Sequence, residues 1–148
     1  MAIYTSIDDL KKRLDPEVLA GLADDENTPP DLDDPETQAV IAQAIADGSQ
    51  LIDSYLTGRA DLANAAVQAS LERINATLAL YFLYRRRYVD DALNPLAAAR
   101  EAVSAHLAAV SRGEERLADG EEGTPEMEVC STTEDEPRVL DKAGLTKW

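Results

Sequence analysis

The 148 residues predict a mainly α protein: a small antiparallel bundle of two short N-terminal helices and three long helices, followed by an extended C-terminal arm. Three observations carry that prediction. Alanine and leucine are abundant while aromatic residues make up only 5% of the chain and glycine is sparse, a composition that favours helix packing over a β core. The stretch Ala66 to Tyr88, AVQASLERINATLALYFLYRRRY, sets Val67, Leu71, Ile74, Leu78, Tyr81 and Phe82 at steps of three and four, one continuous apolar stripe on a helix. From Glu114 onward the composition turns acidic and loop-like, with Gly120, Gly123, Pro125 and Pro137 interspersed. The length suits one domain, residues 1–112, with residues 113–148 as an appendage.

The elements follow in order. Ser6 can cap a helix beginning at Ile7, where Asp8 and Asp9 suit the positive end of the helix dipole and Leu10 and Leu14 share a face. Asp15 followed by Pro16 pairs a capping side chain with the ring that fits the first helical position, opening a second short helix to about Ala23. Such a helix, corner, helix arrangement invites a DNA-reading motif, yet PEVLAGLA offers no basic or amide side chain to a base edge. Asp24 to Asp34, DDENTPPDLDD, reads as a solvated acidic loop; it lacks the glycine and distant glutamate of an EF-hand calcium loop.

Pro35 then starts a long helix capped by Asp34, with Ile41, Ile45, Ile52, Tyr55 and Leu56 on one side and Thr57 and Gly58 at its end. Gly48 and Ser49 in its middle cost helix stability and permit either a close approach by a neighbour or a bend. In the central helix, Leu80, Leu83 and Tyr84 spread apolar character beyond the stripe, so several neighbours or a second subunit must cover its last turns. That helix stops in Arg85, Arg86 and Arg87, cations suited to the negative end of a helix dipole. After a turn from Asp90 to Pro95, a last helix runs from about Leu96 to Gly113. Its Leu96, Val103, Leu107 and Val110 face one way, and its many alanines leave room for close helix contact on more than one side.

Charge narrows the function classes. The net charge is −15, and between Arg13 and Arg59 there is no lysine or arginine, so the surface repels phosphates and argues against a sequence-specific grip on nucleic acid. Cys130 is the only cysteine, which rules out an intrachain disulfide and suits a reducing compartment. The opening residues lack the apolar run of a signal peptide, and no stretch is long enough to span a bilayer, so action in the cytosol or in an assembly built there is expected. His106 has no second histidine or cysteine to join it in a metal site, and no phosphate-binding glycine loop or hydrolase motif is present. Neither an enzyme nor a cofactor is expected.

The arm carries eleven acids against Arg116, Arg138, Lys142 and Lys147, a net −7, which predicts flexibility when the protein is alone. A tail that served solubility alone has no use for Val139, Leu140, Leu145 and Trp148. These residues and Arg138 are the candidate anchors to a partner chain; the alternative is an arm folded back on its own domain. Arg85, Arg86 and Arg87 are the remaining candidate partner-binding residues, expected to bridge to acidic faces next door or to serve as dipole complement and solvated charge.

Four segments taken together, Tyr4 with SIDDLKKRL, then AIADGSQLIDSYLTGR, ALYFLYRRR and EPRVLDKAGLTKW, resemble in order and spacing the Mu-like phage and prophage head-tail connector proteins, once filed as a domain of unknown function. The loop after Gly58 and Arg59 departs from that pattern: RADLANAAV is poorer in proline. The resemblance implies an adaptor ring, typically of twelve copies, that sits beneath the portal protein in the virion neck and is assembled in the host cytoplasm. Such a ring extends the DNA channel, lets DNA slide without sequence-specific binding, and presents a surface to the stopper or tail-completion protein. The alternative function is a DNA-packaging accessory, such as a small terminase-like DNA-binding subunit. No membrane is implied.

Overall fold

The computed structural model describes residues 3–26, 29–57, 62–88 and 90–118. These form α1 (Ile7–Arg13), α2 (Pro16–Ala23), α3 (Pro35–Leu56), α4 (Ala65–Arg87) and α5 (Ala97–Arg112), with a 3-10 turn at Asp91–Leu93 between the last two helices. No strand occurs among the described residues.

Local chemistry sets each helix start. Ser6 and Asp9 form a reciprocal capping box on α1, and Lys12 together with the Ser6 hydroxyl holds the Asp9 carboxyl at about 2. Asp15 and Asp34 cap α2 and α3, each with proline in the first turn, and the Asn64 side chain accepts from the amides of Ala66 and Val67 at the head of α4. At the head of α5 no side chain of Leu96 caps; instead Asn94, almost fully buried, accepts from the Leu96 amide and donates to the Tyr81 carbonyl at 3.3 Å, tying α5 to α4. Gly113 ends α5 at φ +77°, a left-handed turn in which the Gly113 and Glu114 amides close onto Val110 and Ala109.

α3 and α4 are an antiparallel hairpin. Ile41, Ala44 and Ile45, early in α3, pack with Ala76, Ala79, Leu80 and Leu83, late in α4, and with Leu10, Leu19, Leu22 and Ala23 of the two short helices. At the other end Ile52 and Leu56 pack with Val67, Leu71, Ile74 and Leu78, and α5 covers them with Leu107 and Val110. α5 therefore runs back along α4. Phe82 borders both clusters. Each leucine fully buried here contributes about 1.5–3 kcal/mol relative to exposure. The last turns of α4 are covered from within the chain, by α1 and α2.

One expectation needs correction. The Asp24 to Asp34 loop is not simply solvated: Asp24 is 7% exposed, and its carboxylate accepts from the Glu26 and Asp31 amides, folding the loop around itself. Beyond residue 112, Leu117 is buried in the second cluster with Ala118 packed against it. Along α5, Ala98, Ala102 and Ala105 are exposed, while Leu107 and Val110 turn toward the second cluster. The remainder of the predicted arm, from residue 119, lies outside the described residues.

Candidate partner-binding surface

The three arginines at the end of α4 have different fates. Arg86 Nη1 donates to the carbonyls of Leu22 and Ala23 at 3.2 and 3.1 Å, and its Nη2 pairs with Asp25. Arg87 Nη2 donates to the carbonyls of Gly21 and Asp24 at 2.9 and 2.6 Å and lies 3.0 Å from an Asp25 oxygen. Helix α2 has no basic residue in its own last turn. Its terminal carbonyls, left without intrahelical donors, are satisfied by guanidinium groups from α4. Within the chain both arginines thus serve the dipole-complement role that was the alternative to bridging an acidic face next door.

Arg85 points elsewhere. It is exposed and forms no ion pair among the described residues, and it stands at one end of a groove of about 400 Å3 between α3 and α4. Val40, Ala44 and Phe82 make the apolar floor. Asp47, whose carboxylate accepts from Gln43 at 2.8 Å, stands at the other end. A peptide-sized apolar contact flanked by one cation and one anion fits this shape.

The groove is wide at Phe82 and closed a turn further along. A side chain at Gly48 would begin 2.3 Å from Asn75 Oδ1 and 3.3 Å from the Leu78 Cβ, so α3 and α4 touch there as only glycine permits. The buried Asn75 donates to Ser49 Oγ at 2.8 Å, and Ser49 donates to the Ile45 carbonyl at 3.0 Å. A hydroxyl has one proton, and Ser49 gives it to the carbonyl; the Asn75 amide must therefore present its NH2 to Ser49 and turn Oδ1 toward Gly48. That oxygen has no hydrogen-bond partner.

Other polar groups tie elements together. The Tyr4 hydroxyl donates to Asp53 of α3, and burial first, then this bond and the carboxylate charge, push the phenol well above its ordinary value of 10.0. Tyr81 donates to Asp91 at 2.9 Å beneath the Arg100 guanidinium, and burial likewise raises its phenol. His106 Nδ1 lies 2.6 Å from Glu115 across the C-terminal turn of α5. A hollow of about 90 Å3 under the Asp24 to Glu26 loop is lined largely by carboxylates. Among the described residues no group of three or more His, Cys, Asp or Glu is placed to hold a metal, and no helix is long and apolar enough to cross a membrane.

Of the residues singled out from the sequence, Arg85 alone borders the groove without another partner. Arg138, Val139, Leu140, Leu145 and Trp148 lie outside the described residues. Sequence reasoning missed the Tyr4 to Asp53 tie and the arginine cap on α2. The buried amide had a signal: Asn75 follows Leu71 and precedes Leu78 at helical steps, a polar residue on an apolar face.

Fold and surface define a small, acidic, helical bundle in which Arg86, Arg87, Asn75 and Asn94 tie helices together. A family model described as Bacteriophage Mu, Gp36 matches residues 4–133, and the protein belongs to that family. It is also similar to the Mu-like prophage FluMu protein gp36 of Haemophilus influenzae (strain ATCC 51907 / DSM 11121 / KW20 / Rd), with 46% identity over 55 residues. That match covers 37% of this chain and 39% of the relative's length.

Proposed function

We propose that the protein is a structural subunit of a Mu-like phage particle, and more specifically a head-tail connector. Copies form a ring, typically of twelve, beneath the portal protein, extend the DNA channel and receive the stopper or tail-completion protein in the virion neck. The observation that carries this reading is the match to a Mu phage family along residues 4–133, which takes in every helix of the bundle. The charge supports it: a subunit at −15 repels phosphates and lets DNA slide past without sticking. The competing function, a DNA-packaging accessory or small terminase-like DNA-binding subunit, loses its best residues, since Arg86 and Arg87 are held by α2 and Asp25.

Mass measurement of the purified protein, alone and mixed with the portal protein of the same phage, tests the reading. Rings that bind the portal are expected, with no DNA binding at low salt. A strictly monomeric protein without portal affinity overturns it, and so does salt-dependent DNA binding lost when Arg85, Arg86 and Arg87 are replaced.

A further inference from the structure

Resting on the connector reading, we propose that the groove between α3 and α4 is the seat for residues 138–141, Arg-Val-Leu-Asp, of a neighbouring copy of this chain. The groove's floor is apolar, with Phe82 and Val40 half-buried; Asp47 stands at one end and Arg85 at the other, beside an Arg86 already paired with Asp25, so its occupant needs an apolar side chain between charges of the opposite order. Arg138-Val139-Leu140-Asp141 has that order.

The dimensions agree. In an extended segment Val139 and Asp141 share a face about 7 Å apart. Phe82 and Arg85 are neighbours one turn apart on α4, roughly 5–6 Å between Cβ atoms. Val139 seated on Phe82 therefore brings Asp141 to Arg85. The same direction of travel sends Arg138 toward Asp47, which stands about 10 Å from the Val40 end of the groove at 1.5 Å of rise per residue along α3. Reach is sufficient: the described residues end at Ala118, packed on the second cluster at the far end from the groove. The nineteen residues between Ala118 and Arg138 can span up to roughly 65 Å, enough to cross to an adjacent subunit.

A labelled peptide of residues 134–148 titrated into the full-length Asp141→Arg protein, whose own segment is impaired at the same contact, tests recognition. The wild-type peptide is expected to bind, and a peptide carrying Asp141→Arg to bind about tenfold more weakly, the loss of one charge pair. No binding, or equal binding of the two peptides, overturns the proposal. Light scattering then compares full-length Arg85→Asp, full-length Asp141→Arg and their equimolar mixture. Each alone should lose assembled mass and the mixture regain it, because each variant's groove accepts the other's segment. Loss without regain means that the segment sits on its own chain, and unchanged mass in both single variants means that it seats elsewhere; either overturns the proposal. If the wild-type protein forms no ring, the connector reading fails while the peptide titration still judges the groove.

Discussion

The two ends of α4 are closed by different physics. Its N-terminal half is sealed by hydrocarbon: Val67 and Leu71 are fully buried beneath Ile52, Leu107 and Val110. Its C-terminal end adds a second means, in which Arg86 and Arg87 donate to the open carbonyls of α2 and share Asp25. Apolar burial holds the long helices to one another, whereas α2, only eight residues long, also depends on donors borrowed from elsewhere in the chain. Helices too short to stand by propensity are where charge is used, and the sealed end should be the more stable and the less sensitive to salt.

Leu71→Ala probes the sealed end most severely. It should cost about 3 kcal/mol, lost transfer energy plus a cavity, read from the denaturant midpoint and unchanged by salt. Gly48→Ala, midway between the ends, should cost about 2 kcal/mol: overpacking and a strained buried amide outweigh the gain of about 1 kcal/mol in helix propensity. Combining it with Asn75→Ala should cost clearly less than the sum of the single changes. Arg86→Ala should cost about 1.5 kcal/mol, and Asp25→Ala under about 1 kcal/mol because that pair is half exposed, with the Asp25 effect fading in high salt. If salt moves Leu71→Ala as much as Asp25→Ala, the contrast between the ends is wrong.

A small effect is also expected at Tyr4, where Tyr4→Phe should cost about 1 kcal/mol near neutral pH. The folded phenol holds its proton more tightly than the unfolded one, so above pH 10 the unfolded chain binds fewer protons and stability falls as pH rises. Tyr4→Phe should flatten that alkaline decline. Equal slopes for the two proteins would show that Tyr4 is not the group responsible.

Much of the bundle was legible because it is written locally. Ser6, Asp15 with Pro16, Asp34 with Pro35, and Gly113 marked helix ends through short-range chemistry, and the period of three and four found the α4 stripe. The candidate surface was legible only in part. A run of three arginines looks uniform in sequence, yet successive helical positions point about 100° apart, and that rotation binds Arg86 and Arg87 to α2 while Arg85 borders the groove beside Arg86 with no ion pair of its own among the described residues. Which carbonyls lie within reach depends on how α2 folds back over α4, a tertiary fact that no window of sequence contains. The burial of Leu117 was hidden for the same reason: one leucine in an acidic stretch carries no period.

The contact at Gly48 acts as a key. Sliding α3 by one turn against α4 would set Asn75 opposite Ala44 or Ile52, where a side chain fills the notch and the bond to Ser49 is gone. The hairpin thus has a single admissible alignment. Asp47 and Arg85 belong to the two keyed helices, so the spacing between the groove's opposite charges is as rigid as the interlock beside it.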